Sequence, residues 1–242
     1  MQAKWEQLNL LSLSLQNSSG ISLACSGNFS APKRHEIVVY KGEAGLELLR
    51  PDDTGRLISI STTRAFAVVR SIKPFRLAGS NRDYLIIGSD SGKISLIEFD
   101  EENNNTWKVV HCETYGRTGC RRGIPGEHLA VDPKGRAIMI SSIEKQKFVY
   151  SMNRDNANRL TISSPLEAHK NETIALSTCG VDVGFENPIF AVIELNYSAV
   201  DKDPTGQAAS NLDKYLTYYE LDLGLNHMVR KWTEPISRKA SL

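Results

Sequence analysis

The residues best suited to holding a metal ion are His111, Cys112 and Cys120, which lie within ten positions of one another. Imidazole and thiolate groups are common zinc ligands, but tetrahedral zinc sites usually draw on closely spaced pairs such as Cys-x-x-Cys, and this chain has no such pair. A histidine beside a buried cysteine at the end of a strand is the commoner arrangement. The spacing therefore predicts no metal site and no bound cofactor.

A loop between Glu113 and Glu127 is crowded with glycine and arginine. Its residues are Gly116, Gly119, Gly123 and Gly126, with Arg117, Arg121 and Arg122. Glycine-rich loops can cradle phosphate, but the lysine and following Ser or Thr of a P-loop are missing, and no helix is predicted after it. A tight loop that displays guanidinium groups to a protein partner is favoured, because the planar guanidinium binds carboxylates in pairs and stacks on aromatic rings.

Catalytic groups have no local signature. The five histidines lie in unrelated contexts, and neither a nucleophile elbow nor an HExxH helix accompanies them. The acidic pairs, Asp52 with Asp53 and Asp201 with Asp203, fall in turns, where aspartate is favoured for backbone hydrogen bonding. A triad assembled in space stays open, as does a hydrolase with a metal at the centre of a propeller, but the sequence predicts a protein that is not an enzyme.

The arginine and glycine loop leads into a predicted β-hairpin. Its two apolar runs, HLAV and AIMIS, are joined by Asp132-Pro133-Lys134-Gly135. Proline at the second position of this turn presets φ, and the final glycine supplies a permissive backbone.

Other segments follow the same pattern, since short runs rich in Val, Ile, Leu and Tyr alternate with Gly, Pro, Asp or Asn. No segment keeps a helical period for three turns, which predicts a nearly all-β protein. The turns at Gly92 and Gly135 are 43 positions apart, close to the length of a propeller blade. Spacing alone leaves a sandwich or barrel as alternatives.

Two polar segments interrupt the strands. Residues 100–105 are expected to connect two blades, and residues 198–212 are expected to be a long surface loop without apolar pattern.

Composition limits the partners. The chain of 242 residues has 29 Lys and Arg against 28 Asp and Glu, so a net charge of +1 provides no general attraction to RNA or to anionic membranes. Four cysteines without a Cys-x-x-Cys pair are interpreted as reduced thiols in the cytosol or nucleus. Leu11, Leu13 and Leu15 alternate with polar residues and predict a first strand rather than a signal peptide.

Ten segments of the chain carry a specific resemblance. They are GNFS (27–30), LELLRPD (46–52), IIGSDSGKI (86–94), GCRR (119–122), LAVDPKGRA (129–137), IEKQK (143–147), LTISSPLEAHK (160–170), GVDVGFENPIFA (180–191), DPTGQAA (203–209) and YELDLGLNH (219–227). Together they resemble the N-terminal part of the splicing factor 3B subunit 3 family of spliceosomal propeller proteins.

That resemblance implies the fold and a function. The expected fold is the first of three β-propellers, here incomplete, because at most five to six blades of about 40–45 residues fit the length. The implied function is that of a nuclear, non-catalytic scaffold in the splicing factor 3b complex of the U2 small nuclear ribonucleoprotein, acting in pre-mRNA splicing and branch-site recognition. The implied partners are the HEAT-repeat large subunit, a small zinc-knot subunit and a short helical subunit, with indirect association with U2 snRNA and pre-mRNA; no membrane and no small-molecule substrate are expected.

The resemblance also implies three partner-facing segments, matching 113–127, 153 to about 176, and 201–231. The expected interface residues are Glu113, Thr114, Gly116, Arg117, Gly119, Cys120, Arg121, Arg122, Pro125, Gly126, Asn153, Arg154, Asp155, Arg159, Asp203, Pro204, Thr205, Gly206, Arg230 and Lys231. The first segment coincides with the arginine and glycine loop, and the third overlaps the polar segment 198–212, both of which composition alone had singled out.

The resemblance divides the chain into three parts: a divergent strand segment at 1–20, a partial propeller at 21–236 and a divergent tail at 237–242. Two alternatives remain. One is a paralogous propeller adaptor, in ubiquitin ligation of the damaged-DNA-binding type or in pre-mRNA 3′-end processing. The other is a truncated isoform without function.

Overall fold

The computed structural model describes residues 20–65, 67–116, 124–143, 146–156, 159–168, 170, 172–181, 184 and 186–238. Their strands form four antiparallel sheets. The first sheet contains β1 (Leu23–Gly27), β2 (Glu36–Tyr40), β3 (Leu46–Pro51) and β4 (Leu57–Thr63). The second contains β5 (Val69–Phe75), β6 (Tyr84–Ser89), β7 (Lys93–Asp100) and β8 (Thr106–Thr114). The third contains β9 (Leu129–Val131), β10 (Ala137–Ile143), β11 (Gln146–Arg154), β12 (Leu160–Ile162) and β13 (Leu166–Glu167), and the fourth contains β14 (Thr173–Val181), β15 (Ile189–Asn196), β16 (Asp213–Asp222) and β17 (His227–Ile236).

Within each sheet the strands lie side by side in chain order, except that β13 pairs with β11. The first strands of successive sheets also lie next to one another: β1 beside β5, β5 beside β9 and β9 beside β14. Sheets of about four strands, arranged radially with their first strands innermost, are propeller blades. The predictions of an all-β protein and of a partial propeller are confirmed.

Three hydrophobic clusters hold the blades together, one between each pair of neighbouring sheets. Between the first two sheets, for example, Val38 and Leu48 pack with Leu85 and Phe99, all at most 1% exposed. Period-2 alternation places these side chains on the flanks of the sheets. The core is therefore a series of seams between blades.

Because neighbouring strands are antiparallel, the connections between strands lie alternately at the two ends of the propeller. Turns after the first and third strand of each sheet lie at what we call the hairpin end, whereas connections between sheets, and those after the second strand, lie at the inter-sheet end. Contacts between neighbouring blades join the turns at the hairpin end. The contacts are the Asn28 N–H to the Asp83 carboxylate (2.7 Å), the Ala78 N–H to the Gly135 carbonyl (3.4 Å), and the Arg136 guanidinium to the Glu186 carbonyl.

The predicted hairpin between β9 and β10 is confirmed. The Gly135 N–H donates to the Asp132 carbonyl at 2.9 Å, and Arg136 pairs with the Asp132 carboxylate at 2.8 Å. Gly135 has φ of 71°, and a Cβ there would lie 1.8 Å from the carbonyl oxygen of Arg76 in the neighbouring blade. The glycine is therefore required both by the turn and by the packing of blades.

Two expectations about loops are corrected. Residues 101–105 do not connect blades but join β7 to β8 within one sheet, where Asn104 and Asn105 adopt positive φ, which asparagine tolerates well. The segment 198–212 contains a short helix, α1 (Ser198–Lys202), and a 3-10 helix (Gln207–Asn211). Elements this short carry no periodic apolar signal, so composition alone could not find them.

Several expectations stay predictions. The strand expected at Leu11–Leu15 lies outside the described residues. The described strands run from Leu23 to Ile236, and the division of the chain at residues 20 and 236 is not tested. Among the described residues, no helix has the length and apolar character needed to cross a bilayer.

Candidate partner interface

The arginine and glycine loop leaves the second sheet at Tyr115. The Tyr115 and Gly116 N–H groups donate to the Gly92 carbonyl, at 2.9 and 3.3 Å, and the Tyr115 hydroxyl donates to the Ser89 carbonyl at 3.2 Å. Because the Tyr115 side chain is buried at 7% exposure, these bonds are shielded from water. The start of the loop is thus fixed on the turn between β6 and β7.

The loop returns to the same turn at Gly126. The Ser71 hydroxyl donates to the Gly126 carbonyl, and the backbone of Gly126 lies directly against that of Ser89. A Cβ on Gly126 would lie 2.5 Å from the Ser89 nitrogen, and one on Gly88 would lie 2.4 Å from the Gly126 carbonyl oxygen. These glycines therefore permit a close approach of two backbones. Pro125, beside Gly126, is also buried.

Both ends of the loop are anchored at one place, at the inter-sheet end of the second blade. The expected interface residues between these anchors, Arg117, Gly119, Cys120, Arg121 and Arg122, lie outside the described residues, so their role stays a prediction. The anchoring itself is what a recognition loop needs, because a fixed base reduces the entropy that is lost when a partner binds.

His128 follows the second anchor and has φ of 53°. Burial lowers the pKa of His128 below its ordinary value, and this effect outweighs the attraction of Glu127, whose carboxylate lies 3.8 Å from the ring. The imidazole is therefore neutral at pH 7. Glu113, near the end of β8, lies 3.2 Å from the His111 ring, and Thr114 beside it is exposed.

The segment from Asn153 to Arg159 lies at the opposite, hairpin end. Asn153 and Arg154 end β11, and Asp155 begins the turn to β12. The Asp155 carboxylate accepts from the Arg159 backbone N–H at 2.8 Å and from its guanidinium at 2.9 Å, although the Arg159 side chain is 79% exposed. The structure therefore does not bring this segment together with the arginine and glycine loop.

Asp203 to Gly206 lie at the inter-sheet end, as do the two described ends of the arginine and glycine loop, at Tyr115 and Gly126. The Asp203 carboxylate accepts from the Thr205 hydroxyl and N–H, at 2.6 and 2.8 Å, and from the Ala208 N–H at 2.6 Å. These bonds, that of the Thr205 hydroxyl most strongly, hold the pKa of Asp203 below its ordinary value. Pro204 is exposed and Gly206 has φ of 74°. The carboxylate organises its own turn, and the exposed backbone around it is what a partner could contact.

Arg230 and Lys231 lie on β17, the last strand of the fourth sheet. Arg230 is exposed and opposite Tyr219, and Lys231 pairs with Glu220 at 3.0 Å. The expected interface residues that the structure describes thus divide among the two ends and one outer strand, so these residues do not form a single patch.

Comparison with known proteins decides the family. Residues 20–242 match the model described as RSE1/DDB1/CPSF1 first beta-propeller. The chain belongs to this family. Similar proteins include Spliceosome-associated protein 130 A of Arabidopsis thaliana (56% identical over 96% of this chain), Splicing factor 3B subunit 3 of Danio rerio (55% over 94%) and Pre-mRNA-splicing factor rse1 of Emericella nidulans (50% over 96%). The matched region is 19% of each of these proteins, so the chain spans about a fifth of their length.

The resemblance to the N-terminal part of the splicing factor 3B subunit 3 family is confirmed by these identities. Membership of the RSE1/DDB1/CPSF1 family also agrees with the four sheets and their radial order. It identifies the chain as a first propeller, which is the part of the family that the quoted segments had indicated.

In this RSE1/DDB1/CPSF1 propeller, sequence reasoning missed a buried charged cluster between the third and fourth sheets. Glu194 is 0% exposed and binds Lys147 and Lys170, each at 2.6 Å. The Thr217 hydroxyl donates to the same carboxylate at 2.8 Å and the Tyr219 hydroxyl at 2.7 Å. One signal was present: Glu194 interrupts the apolar run PIFAVIEL, and such a residue needs a buried partner.

The electrostatics of this cluster follow from burial and pairing. Burial lowers the pKa of Lys147, against the attraction of Glu194. For Glu194, burial acts to raise the pKa, but Lys147, with Lys170 and Tyr219, reverses that effect and lowers it. We infer that the pair is ionised at pH 7, because each charge is held at hydrogen-bonding distance by its counterpart.

The described residues offer no set of ligands for a metal ion, and Cys120 lies outside them. Among the described residues, no group of three or more His, Cys, Asp or Glu side chains could hold a metal ion. Cys112 accepts from the Ser95 hydroxyl at 3.6 Å and is exposed, as is Cys179. Burial raises the pKa of Cys25 to about 12, so this thiol is unreactive near neutral pH.

Proposed function

We propose that the chain acts as part of a scaffold subunit of the splicing factor 3b complex, in pre-mRNA splicing. The observation that carries the proposal is an identity of 50–56% with proteins named as splicing or spliceosome-associated factors, over nearly the whole chain. The site of action that follows is the nucleus, within the U2 small nuclear ribonucleoprotein at the intron branch site.

The mechanism we propose is non-catalytic. The segment that would bind the partner is 117–123, and the described residues on either side of it, Tyr115 and Gly126, are anchored beside the turn from Ser89 to Gly92. The arginines of this segment would bind carboxylates of a neighbouring subunit. The partners we propose are the HEAT-repeat large subunit, the small zinc-knot subunit and the short helical subunit, with RNA reached through them.

The test is a pull-down of the tagged 242-residue chain from nuclear extract, with partners identified by mass spectrometry. The native chain is compared with an Arg121→Glu/Arg122→Glu variant, which reverses two charges in the loop. A matched control, Arg56→Glu/Lys108→Glu, reverses two exposed charges outside all three predicted segments.

We expect the native chain and the control to recover splicing factor 3b subunits, and the loop variant to lose them. Recovery of ubiquitin-ligase or 3′-end-processing subunits instead would overturn the proposal in favour of a paralogous adaptor. Recovery of chaperones alone by the native chain would show that this product does not assemble. Equal recovery by all three chains would remove the loop from the interface while leaving the scaffold function in place.

A further inference from the structure

A cleft of about 380 Å³ opens between the first and second sheets near the inter-sheet end. One wall is formed by Leu46, Thr63, Arg64, Ala65 and Ala67. The other is formed by the flank of the second sheet that faces the first, on β6, β7 and β8. The cleft contains none of the residues expected from the family resemblance to contact partners.

The floor of the cleft is apolar. Leu46, Val69, Ile87 and Ile97 are all buried and contribute to it. Val109, opposite Ile97 in the pairing of β7 with β8, lies at the rim and is 49% exposed. An aliphatic floor with an exposed branched side chain at its rim is suited to one large apolar side chain from outside.

The mouth of the cleft is basic. Arg64 and Lys93 are both exposed and line it. Across the part of the chain that the structure describes, neither side chain has an ion-pair partner, and the lining residues include no Asp or Glu. The other polar groups that line the cleft are the hydroxyls of Thr63, Ser89, Ser91 and Ser95 and the thiol of Cys112. Two cations without a local carboxylate are complementary to an acidic ligand.

We propose that this cleft is a docking site for an acidic segment of a partner protein that carries one large apolar side chain. The apolar side chain enters between the two sheets, and carboxylates on either side of it bind Arg64 and Lys93. The guanidinium of Arg64 can hold a carboxylate through two parallel hydrogen bonds, which also orients the segment. The proposal is independent of the splicing assignment, because it uses only the shape and charge of this chain.

A protein segment fits this cleft better than single-stranded nucleic acid. Nucleic-acid grooves combine a track of positive charge with aromatic faces on which bases stack. Trp107 is the aromatic residue among the described lining residues, and its ring is already packed in edge contacts with Phe29 and Phe99, at centroid distances of 5.7 and 5.2 Å. Two cations and an aliphatic floor select carboxylates and an alkyl or aromatic anchor.

The cysteines of the chain provide a direct assay. Cys112 lines the cleft and is exposed, so an occupant should slow its alkylation. Cys179 is exposed on β14 and does not line the cleft, which makes it an internal control. Alkylation by iodoacetamide at each cysteine of the native chain is followed by peptide mass spectrometry.

The probes are acidic pentapeptides of sequence DEXDE, in which X is Leu, Phe or Met, and neutral counterparts of sequence NQXNQ. At a concentration of about ten times Kd, occupancy slows alkylation of Cys112 about tenfold. We expect this slowing with at least one DEXDE peptide, and no slowing with its NQXNQ counterpart or at Cys179. Arg64→Glu/Lys93→Glu and Val109→Asp should each abolish it, whereas Lys108→Glu, which reverses an exposed charge on the same strand outside the cleft, should not.

Each contrary result overturns the proposal. Equal slowing by acidic and neutral peptides would show that charge does not select the ligand. Equal slowing at Cys112 and Cys179 would show a non-specific effect, and the absence of any slowing up to about 5 mM, well above the Kd expected of one anchor and two ion pairs, would show that the cleft takes no such segment. Slowing by an oligouridine but by no DEXDE peptide would assign the cleft to nucleic acid. Circular dichroism of each variant confirms that a loss of protection is not a loss of folding.

Discussion

At the scale of single residues, the structure separates two roles of glycine that look alike in the sequence. Gly126 and Gly206 both have positive φ, of 84° and 74°. A Cβ on Gly126 would collide with the backbone of Ser89, whereas one on Gly206 would meet nothing within 4 Å. Gly126 is therefore needed for packing as well as for its turn, and Gly206 for its turn alone.

This difference predicts two unequal substitutions. Gly206→Ala should lower the free energy of unfolding by about 1 kcal/mol, the ordinary cost of a left-handed backbone for a residue with a Cβ. Gly126→Ala should lower it by about 3 kcal/mol, because the collision adds an overpacking cost to the same conformational cost. Urea unfolding followed by circular dichroism measures both, and equal losses would contradict the close approach of the loop to Ser89.

At the scale of elements, the third and fourth sheets are joined by a charged cluster inside an otherwise apolar seam. Lys147 on β11 is 2% exposed and faces Glu194 on β15, which is 0% exposed. A buried ion pair adds little net stability compared with an apolar pair of similar volume, but removing one partner leaves a buried charge without compensation. The contribution of this cluster to stability therefore depends on both partners being present.

We predict that Glu194→Leu lowers the free energy of unfolding by about 3–5 kcal/mol. The double variant Lys147→Met/Glu194→Leu should lower it by less, because it leaves no buried charge at position 147.

The same cluster predicts a loss of stability in acid. Because the folded-state pKa of Glu194 is lowered, the stability that this carboxylate contributes is complete above its unfolded pKa of about 4.3 and is lost as the pH falls below that value. Urea unfolding from pH 7 to pH 3 measures both effects. A double variant no more stable than the single one, or a native chain with the same acid dependence as the double variant, would refute this account.

At the scale of the whole molecule, the four blades leave an aromatic surface on the fourth sheet. Trp232 is 49% exposed and packs edge-on against Tyr218 at a centroid distance of 5.8 Å. Both lie on the flank away from the third sheet, and among the described residues β17 has no strand on its other side. Exposed aromatic flanks and open strand edges favour association between chains.

We therefore predict that the isolated 242-residue chain self-associates through this flank. Trp232→Lys should shift the sedimentation coefficient towards that of the monomer at concentrations where the native chain associates. Leu225→Lys changes a residue that is 78% exposed at a hairpin tip and should leave the association unchanged. A native chain that remains monomeric at about 100 μM would contradict the prediction, because protein interfaces of ordinary size have Kd values in the micromolar range or tighter.

Most of the fold was predictable because its signals are local. The Asp132–Gly135 turn, the alternating apolar runs and the glycine between β6 and β7 each determine their own strand or hairpin within a few residues. The short helix Ser198–Lys202 was not predicted, because it has no periodic apolar residues that the sequence would reveal. Its first turn is closed by a backbone hydrogen bond, from the Val200 N–H to the Tyr197 carbonyl at 2.9 Å. The candidate interface was predicted only as a list of residues. Because β11 and β15 run in opposite directions, the segment from Asn153 to Arg159, at the end of β11, and the segment from Asp203 to Gly206, after β15, lie at opposite ends of the propeller.

The sequence by itself determined the all-β class, the hairpins and the family resemblance, because strand alternation, turn residues and long shared segments are properties of neighbouring residues. Only the tertiary structure decided which loops share an end, that Gly126 must lie against Ser89, that Glu194 is paired with Lys147, and that an apolar cleft with a basic mouth lies between the first two sheets. These features join residues far apart in the chain, and their positions depend on how the blades pack. A local sequence pattern does not specify the distance between two residues that lie in neighbouring sheets.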